Sequence, residues 1–298
     1  MRKSIVLLIT LALIVAISSL IYIGLELVDK SAQVVEKKHN FLQTVSMVHD
    51  IKKIIEKNKK DINSTEGLDL LFSMPIDLKT DNLHVHVEFS SAATGINPNN
   101  FIKTVNKKER LNPNYILLFD RILQNANVLN KELFLAMIED TLDKDLQERF
   151  PGSEIALYDK RFAQGSIENF AKFQKIVDHY IGLTEDGNIN TIPWKKILGF
   201  YSKKIDFNYI SPILLHYMLP FLDKEALQKL TTDKEEVFTD MKELRLAKEY
   251  KDELKKYDVA FYVPVINVNL TIKEGNSKSY AHFVYDLATA KVEDIAIR

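Results

Sequence analysis

The chain contains no cysteine, and glycine is scarce at 9 of 298 residues. Without cysteine, disulfides, thiol nucleophiles and thiolate metal ligands are all excluded. The few glycines form neither a Gly-x-Ser-x-Gly turn nor a phosphate-binding loop, and His-Glu-x-x-His does not occur. We therefore predict that the chain is not an enzyme and has no catalytic residues.

An excess of charge of one sign is also missing. Lysine and arginine number 40 against 41 aspartates and glutamates, which gives a net charge of -1. This balance provides no basic field for nucleic acid. Between Gly199 and Gly275 there is no glycine to permit the close backbone approach that a phosphate-gripping hairpin needs. We expect no nucleic acid partner.

Charge disappears entirely from Ile5 through Leu25, directly after Arg2 and Lys3. A run of this length spans a bilayer core of roughly 30 Å as a helix, and the preceding basic residues place the N-terminus in the cytoplasm. A cleaved secretory signal is the alternative, but its apolar region is typically only about 7–15 residues. We predict a retained single-pass membrane anchor, with the rest of the chain in the periplasm if the cell is Gram-negative.

The helical pattern continues beyond the anchor, because neither proline nor glycine occurs from Glu26 to Lys60. Apolar residues recur there at three- and four-residue spacing, which is one face of a helix, at Phe41, Val45, Val48, Ile51 and Ile55. A coiled-coil stalk is one interpretation. The apolar positions do not keep a strict seven-residue repeat, however, so packing on a sheet is favoured.

Strands are predicted near the middle of the N-terminal half and again at the C-terminus. Leu83–Phe89 and Ile266–Ile272 alternate apolar and polar residues, and a hairpin turn follows at Lys273–Asn276. Ser279–Asp286 and Val292–Ile297 are predicted as two further strands. Asn63–Gly67 is predicted as a loop. The intervening Phe101–Glu253 is predicted to be helical, with helices at Tyr115–Leu123, Asn130–Thr141, Ile167–Ile181, after Pro193, after Ser211, at Lys224–Leu230 and at Lys234–Lys256.

This order predicts an α+β fold, in which a long N-terminal helix packs on a small antiparallel sheet and a large all-α insertion separates the strands. We divide the chain into a leader (1–4), a membrane segment (5–25), a helix-plus-sheet domain (26–97 and 257–298) and an inserted helical domain (98–256).

Three motifs occur in order inside the insertion and its flanks. Gly95-Ile96-Asn97-Pro98-Asn99 follows the first strand. An acidic run, Asp140-Thr141-Leu142-Asp143-Lys144-Asp145, is followed by Gly152-Ser153-Glu154 and Tyr158. Ile205–Ser211 then precedes Leu214–Pro220. In these motifs and in its pilin-like layout the chain resembles the K component of type II secretion systems, a minor pseudopilin (general secretion pathway protein K-like).

The resemblance implies a function and a set of partners. Component K is a tip subunit that seeds and caps a periplasmic pseudopilus for protein secretion. Its partners are components I and J, the inner membrane, and a prepilin peptidase, which would here cut between Ser4 and Ile5. Ser4 stands where the family usually has glycine. The fifth mature residue would be Ile9, in agreement with component K, which lacks the glutamate that other pseudopilins carry there.

The acidic run is the candidate metal site. Several carboxylates on one loop suit Ca²⁺, which takes six to eight oxygens, although the spacing is not that of an EF-hand and a solvated acidic turn is the alternative. Members of the resembled family bind calcium in this insertion, which implies Asp140, Asp143, Asp145 and Glu154 as ligands.

Two alternatives to a filament subunit remain. One is a membrane-tethered periplasmic domain that binds a ligand or senses a signal, and the other is a periplasmic hydrolase with an uncleaved anchor. His84 and His86, two apart on one strand face, suit a transition metal, but the sequence offers no evident third ligand.

Overall fold

The computed structural model describes residue 35 and residues 38–105, 108–275 and 277–298. The predicted leader and membrane segment lie outside these residues. Among the described residues no helix is long and apolar enough to cross a membrane.

The first described helix, α1, covers residues 38–57 and packs on the sheet. Ile51 and Ile55 are buried in this contact, and Met47 and Val48 are partly buried beside them. Phe41 and Val45 were predicted to lie on the same face, but they are 52% and 41% exposed. That part of the prediction is wrong because the two side chains precede the stretch of α1 that reaches the sheet. The helix also ends at residue 57, earlier than the predicted Lys60.

A short helix α2, Thr65–Ser73, follows where a loop was predicted over Asn63–Gly67. Ser64 caps it, since its Oγ accepts a hydrogen bond from the Gly67 N–H at 3.0 Å. A Cβ on Gly67 would lie 2.2 Å from the Asp61 carbonyl oxygen. Gly67 therefore allows the helix to pack against the preceding turn, which the sequence pattern did not reveal.

Five antiparallel strands form the main sheet, in the order β1-β2-β7-β8-β9. They are β1 Ile76–Lys79, β2 Leu83–Ser91, β7 Val265–Glu274, β8 Ser277–Asp286 and β9 Lys291–Ile297. Alternate side chains of the central strands face α1 and α2 and build the core of this layer, as the period-two pattern predicts, at Val85, Val87, Phe89, Ile266, Val268, Leu270 and Ile272. The turn after β7 uses Gly275 at a φ of +54°.

The segment between β2 and β7 forms a second, mainly helical layer with its own core. Its helices are α3 Pro113–Asn125, α4 Lys131–Leu142, α5 Ile155–Tyr158, α6 Phe170–Thr184, α7 Trp194–Ile197, α8 Pro212–Met218, α9 Lys224–Thr231 and α10 Lys248–Leu254. Two strand pairs also lie here, β3 Ile102–Val105 with β4 Lys108–Leu111, and β5 Ile205–Asp206 with β6 Val259–Ala260.

Aromatic rings hold the centre of the helical layer. The Trp194 ring lies 5.9, 5.8 and 5.0 Å from the rings of Phe119, Phe134 and Phe173, and its Nε1 donates to the Ile189 carbonyl at 3.1 Å. Trp194 thus anchors the core of the helical layer.

Two predictions about this layer are wrong. Phe101–Glu253 is not helical throughout, because β3 and β4 form a hairpin. Lys234–Lys256 is α-helical only at Lys248–Leu254, which a 3₁₀ turn at Lys255–Tyr257 follows. The segment before this helix is held instead by the Asn208 side chain. Asn208 Nδ2 donates to the Phe238 carbonyl and Asn208 Oδ1 accepts from the Phe238 N–H, both at 2.8 Å. This pair of bonds replaces the main-chain bonds that a helix would make.

The Gly95–Asn99 motif joins the sheet to the helical layer. Ile96 makes main-chain hydrogen bonds with the two neighbours of Leu198. The Ile96 N–H donates to the Ile197 carbonyl at 2.8 Å, and the Ile96 carbonyl accepts from the Gly199 N–H at 2.9 Å. A Cβ on Gly95 would lie 2.4 Å from the Leu198 carbonyl carbon. This glycine is therefore required by the close contact of the two backbones.

Candidate functional site

The acidic residues identified from the sequence lie where α4 ends and a loop leads to α5. Asp140 occupies the last turn of α4, Asp143 caps its C-terminus, and Glu154 caps the N-terminus of α5. We call residues 139–154 the acidic loop. Gly152 lies in it with a φ of +88°, a backbone conformation that side-chain-bearing residues rarely adopt.

Asp140 is fully buried, and donors surround its carboxylate. Its Oδ1 accepts a hydrogen bond from Arg149 Nη1, and its Oδ2 accepts from Ser153 Oγ at 2.5 Å and from the Arg149 main-chain N–H at 3.2 Å. A buried carboxylate needs such donors, because nothing else replaces its lost hydration. The Asp140 side chain thus folds the acidic loop back against α4.

Arg149 is the cation that pairs with the buried carboxylates of the acidic loop. Its Nη1 donates to both Asp140 and Asp143, and its Nε lies 3.4 Å from Glu139 Oε2. The carboxylate side chains are 13%, 0% and 14% exposed in the order Glu139, Asp140, Asp143, whereas that of Arg149 is 39% exposed. Burial lowers the pKa of Arg149, but its hydrogen bonds to the two aspartates outweigh that effect and raise the pKa.

One guanidinium does not compensate all of these carboxylates. Burial raises the pKa of Glu139, Asp143 and Glu154 above their usual values. Within the part of the chain that the structure describes, the buried Oδ1 of Asp143 has no hydrogen-bond partner. A buried acceptor without a donor is costly, so this oxygen of Asp143 lowers the stability of the acidic loop.

A second group of oxygens converges on the amide of Gln164. Its Nε2 lies 2.6 Å from the Asp145 carbonyl oxygen, 2.7 Å from Glu154 Oε2 and 3.4 Å from the Asp140 carbonyl oxygen. An amide nitrogen has only two hydrogens for these three acceptors. The Asp145 carboxylate points elsewhere and accepts from the Gln147 N–H at 2.9 Å.

The four predicted calcium ligands therefore do not form one set. Asp140 and Asp143 face Arg149, whereas Glu154 and the Asp145 carbonyl face Gln164. Across residues 38–105, 108–275 and 277–298, no group of three or more His, Asp or Glu side chains is arranged to hold a metal ion. The oxygens around Gln164, two carbonyls and one carboxylate, are nonetheless of the type that Ca²⁺ prefers. The prediction of calcium stays a prediction.

His84 and His86 lie on the outer face of β2, beside a carboxylate of β1. Asp77 Oδ1 is 3.0 Å from His84 Nε2 and 2.9 Å from His86 Nδ1, and Glu88 Oε1 is 3.0 Å from His86 Nε2. Hydrogen bonds to Glu88 and Asp77 raise the pKa of His86. These exposed contacts tie β1 to β2.

An apolar surface remains open on α1, ahead of its contact with the sheet. Phe41, Leu42 and Val45 are 52%, 56% and 41% exposed, and Val35 is 68% exposed. Large apolar side chains grouped on one exposed surface mark a site of interaction. The predicted processing residues, Ser4 and Ile5, lie outside the described residues.

Sequence reasoning missed Arg149, Gln164 and Asp77. The Gly152-Ser153-Glu154 motif pointed to the loop in which Arg149 lies, but no spacing rule connects an arginine to an aspartate nine positions earlier. Asp77 was missed because its strand, β1, was not predicted. β1 has only four residues, which is the shortest stretch in which an alternating pattern indicates a strand.

No family model matches the sequence, and a search of curated proteins finds no match. A solved structure does match, namely a chain of the crystal structure of the GspK-GspI-GspJ complex from the type 2 secretion system of enterotoxigenic Escherichia coli. The TM-score is 0.56 at 11% sequence identity, and the match covers 86% of this chain and 99% of that chain. The two chains share one fold. The predicted GspK-like resemblance and α+β class are thereby confirmed at the level of the fold.

Proposed function

We propose that this chain is a minor pseudopilin of a type II secretion system, with a structural and not a catalytic role. The observation that carries the proposal is the extent of the structural match, 86% of this chain and 99% of the other. A match of this extent requires the insertion as well as the sheet, so it does not rest on the helix-plus-sheet layer alone. In this role the chain seeds and caps the tip of a periplasmic pseudopilus.

The partners in this proposal are subunits similar to GspI and GspJ. Both are present in the complex whose crystal structure contains the matching chain. The exposed apolar surface of α1, formed by Phe41, Leu42 and Val45, supports helix-to-helix contact with them. Burial of apolar area of this kind is the main favourable contribution to association.

Co-purification of the full chain with its I- and J-like partners, extracted together from membranes, tests this contact. We expect the double substitution Phe41→Ser with Val45→Ser to reduce recovery of the partners at least about tenfold, which corresponds to about 1.4 kcal/mol. Ile54→Ser is the matched control, because Ile54 is 48% exposed on the same helix. At about 100° per residue it lies on the far side from Phe41 and Val45. Equal loss of partners in both variants would contradict the proposed surface.

We further propose that residues 5–25 anchor the chain in the inner membrane, with the N-terminus in the cytoplasm and the folded part in the periplasm. A prepilin peptidase removes Met1 to Ser4, so Ile5 becomes the first residue. The uncharged run after Arg2 and Lys3 supports both steps. Intact mass of the protein from membranes, with and without the peptidase, measures this. A cut beyond about Ser18 would mean a secretory signal and would exclude a filament subunit.

Calcium binding is the third part of the proposal. The oxygens around Gln164, those of Glu154 and of the Asp140 and Asp145 carbonyls, provide the ligands. Calcium would stabilise the acidic loop, since a ligand that binds only the folded state raises its stability. We expect CaCl₂ to raise the unfolding temperature, and Glu154→Gln to reduce this rise. Glu225→Gln, an exposed glutamate paired with Lys229, is the control. An identical response in both variants would exclude Glu154 as a ligand.

A further inference from the structure

The acidic loop already contains a cation on one of its two sides. The Arg149 guanidinium lies between Asp140 and Asp143, donates to both, and reaches Glu139 with its Nε at 3.4 Å. This is more than a surface ion pair, because the three carboxylates are at most 14% exposed. Removing a cation that pairs with a group of buried carboxylates is far more costly than removing a surface partner.

We propose that Arg149 is the resident cation of the acidic loop and takes the place of a divalent ion between Asp140 and Asp143. The carboxylates of these two aspartates are then not calcium ligands in this protein, although the resemblance implies that they are. The proposed calcium site then consists only of the oxygens around Gln164. The inference does not depend on the secretion role.

The main chain also places Arg149 for this role. Its own N–H donates to Asp140 Oδ2 at 3.2 Å, so backbone and side chain of the same residue bind one carboxylate. From the other end of the loop, Ser153 Oγ donates a further hydrogen bond to the Asp140 carboxylate. The positive charge between Asp140 and Asp143 is therefore fixed by the fold.

A matched pair of variants separates this role from an ordinary surface charge. Arg149→Gln removes the proposed cation. Arg161→Gln is the control, since Arg161 is 92% exposed and pairs with a local aspartate, Asp159, at 3.4 Å. In chelator, Arg149→Gln should lower the unfolding temperature of the full chain by roughly 5–10 °C, and the control should lower it little. Arg149→Lys, which keeps the charge, should restore part of the loss.

Calcium then provides a readout that a purely structural arginine would not change. In Arg149→Gln the freed carboxylates of Asp140 and Asp143 should bind Ca²⁺, so equilibrium dialysis should find one more bound ion than in the wild type. CaCl₂ should also raise the unfolding temperature of this variant more than that of the wild type. Equal numbers of bound ions in the two proteins, or equal unfolding temperatures of the two variants in chelator, would overturn the proposal.

If Arg149→Gln does not fold, the number of calcium ions bound by the wild type, by Asp143→Asn and by Glu154→Gln still tests the proposal. The proposal allows zero bound calcium ions or one, and Asp143→Asn should leave that number unchanged. One ion lost upon Asp143→Asn would place calcium between the aspartates and refute the role of Arg149. One ion that survives Asp143→Asn but not Glu154→Gln would support both the Gln164 site and the resident arginine.

Discussion

The contact of Gly95 with the backbone at Leu198 can be broken by a single methyl group. A Cβ at Gly95 would lie 2.4 Å from the Leu198 carbonyl carbon and 2.6 Å from the carbonyl oxygens of Ile197 and Leu198. All three are main-chain atoms, so no side-chain rotation relieves the clash. In Gly95→Ala the two segments must therefore separate.

Separation removes the two hydrogen bonds that Ile96 makes with Ile197 and Gly199, at 2.8 and 2.9 Å. Ile96 is fully buried, so water does not replace them. Two lost bonds at about 1 kcal/mol each, plus overpacking of about 1–3 kcal/mol, give a loss of about 3–5 kcal/mol. For a chain of this size that loss lowers the unfolding temperature by about 6–15 °C.

Thermal unfolding followed by circular dichroism measures the effect. Gly182→Ala is the control, because Gly182 lies in α6 and a Cβ there meets nothing within 4 Å. Alanine at this helical position should be neutral or stabilise by up to about 1 kcal/mol. If Gly95→Ala unfolds at the wild-type temperature, the close approach of the two backbones is not required and the reasoning fails.

Three further substitutions test other parts of the molecule. Trp194→Ala should cost about 3–5 kcal/mol by emptying the aromatic centre of the helical layer, as measured by urea unfolding. Burial raises the pKa of Asp206 from 3.8 to about 7. As pH rises, the unfolded chain therefore loses the Asp206 proton before the folded protein does, and the free energy of unfolding falls between about pH 4 and pH 7. Asp206→Asn should abolish that fall, as measured by urea unfolding at about pH 5 and pH 8. Glu88→Gln should lower the pKa of His86 in an NMR titration, whereas Glu225→Gln should leave it unchanged.

The parts of the fold that follow from local rules were predictable from the sequence. A helix was predicted after Ser211, and the Ser211 Oγ caps it by accepting a hydrogen bond from the Leu214 N–H at 3.2 Å. The strand predicted at Leu83–Phe89 is β2, because its alternating residues fit a sheet with one buried face. These features depend on residues close together in the chain.

The parts that failed depend on distant contacts. The segment before α10 follows the side chain of Asn208, some thirty positions earlier, and no helical pattern records that bond. Phe41 was assigned to the buried face by spacing alone, but the length of α1 that meets the sheet is set by the sheet. The acidic loop was located correctly, whereas its division between Arg149 and Gln164 depends on side-chain directions that spacing does not encode.

The register of β2 with β7 determines the order in which the molecule can assemble. Ser91 of β2 lies opposite Ile266 of β7, as two residues of a hairpin would. The hydrogen bond from Asn267 Nδ2 to the Ser91 carbonyl nevertheless joins positions 176 residues apart. Closing so long an unstructured loop costs roughly 4–5 kcal/mol in chain entropy, on top of the constant term for any loop. If the helical layer folds first, it holds the two strand ends together and removes most of that cost. The sheet then closes last from two halves, α1 with β1 and β2, and the meander β7 to β9, each built of local contacts.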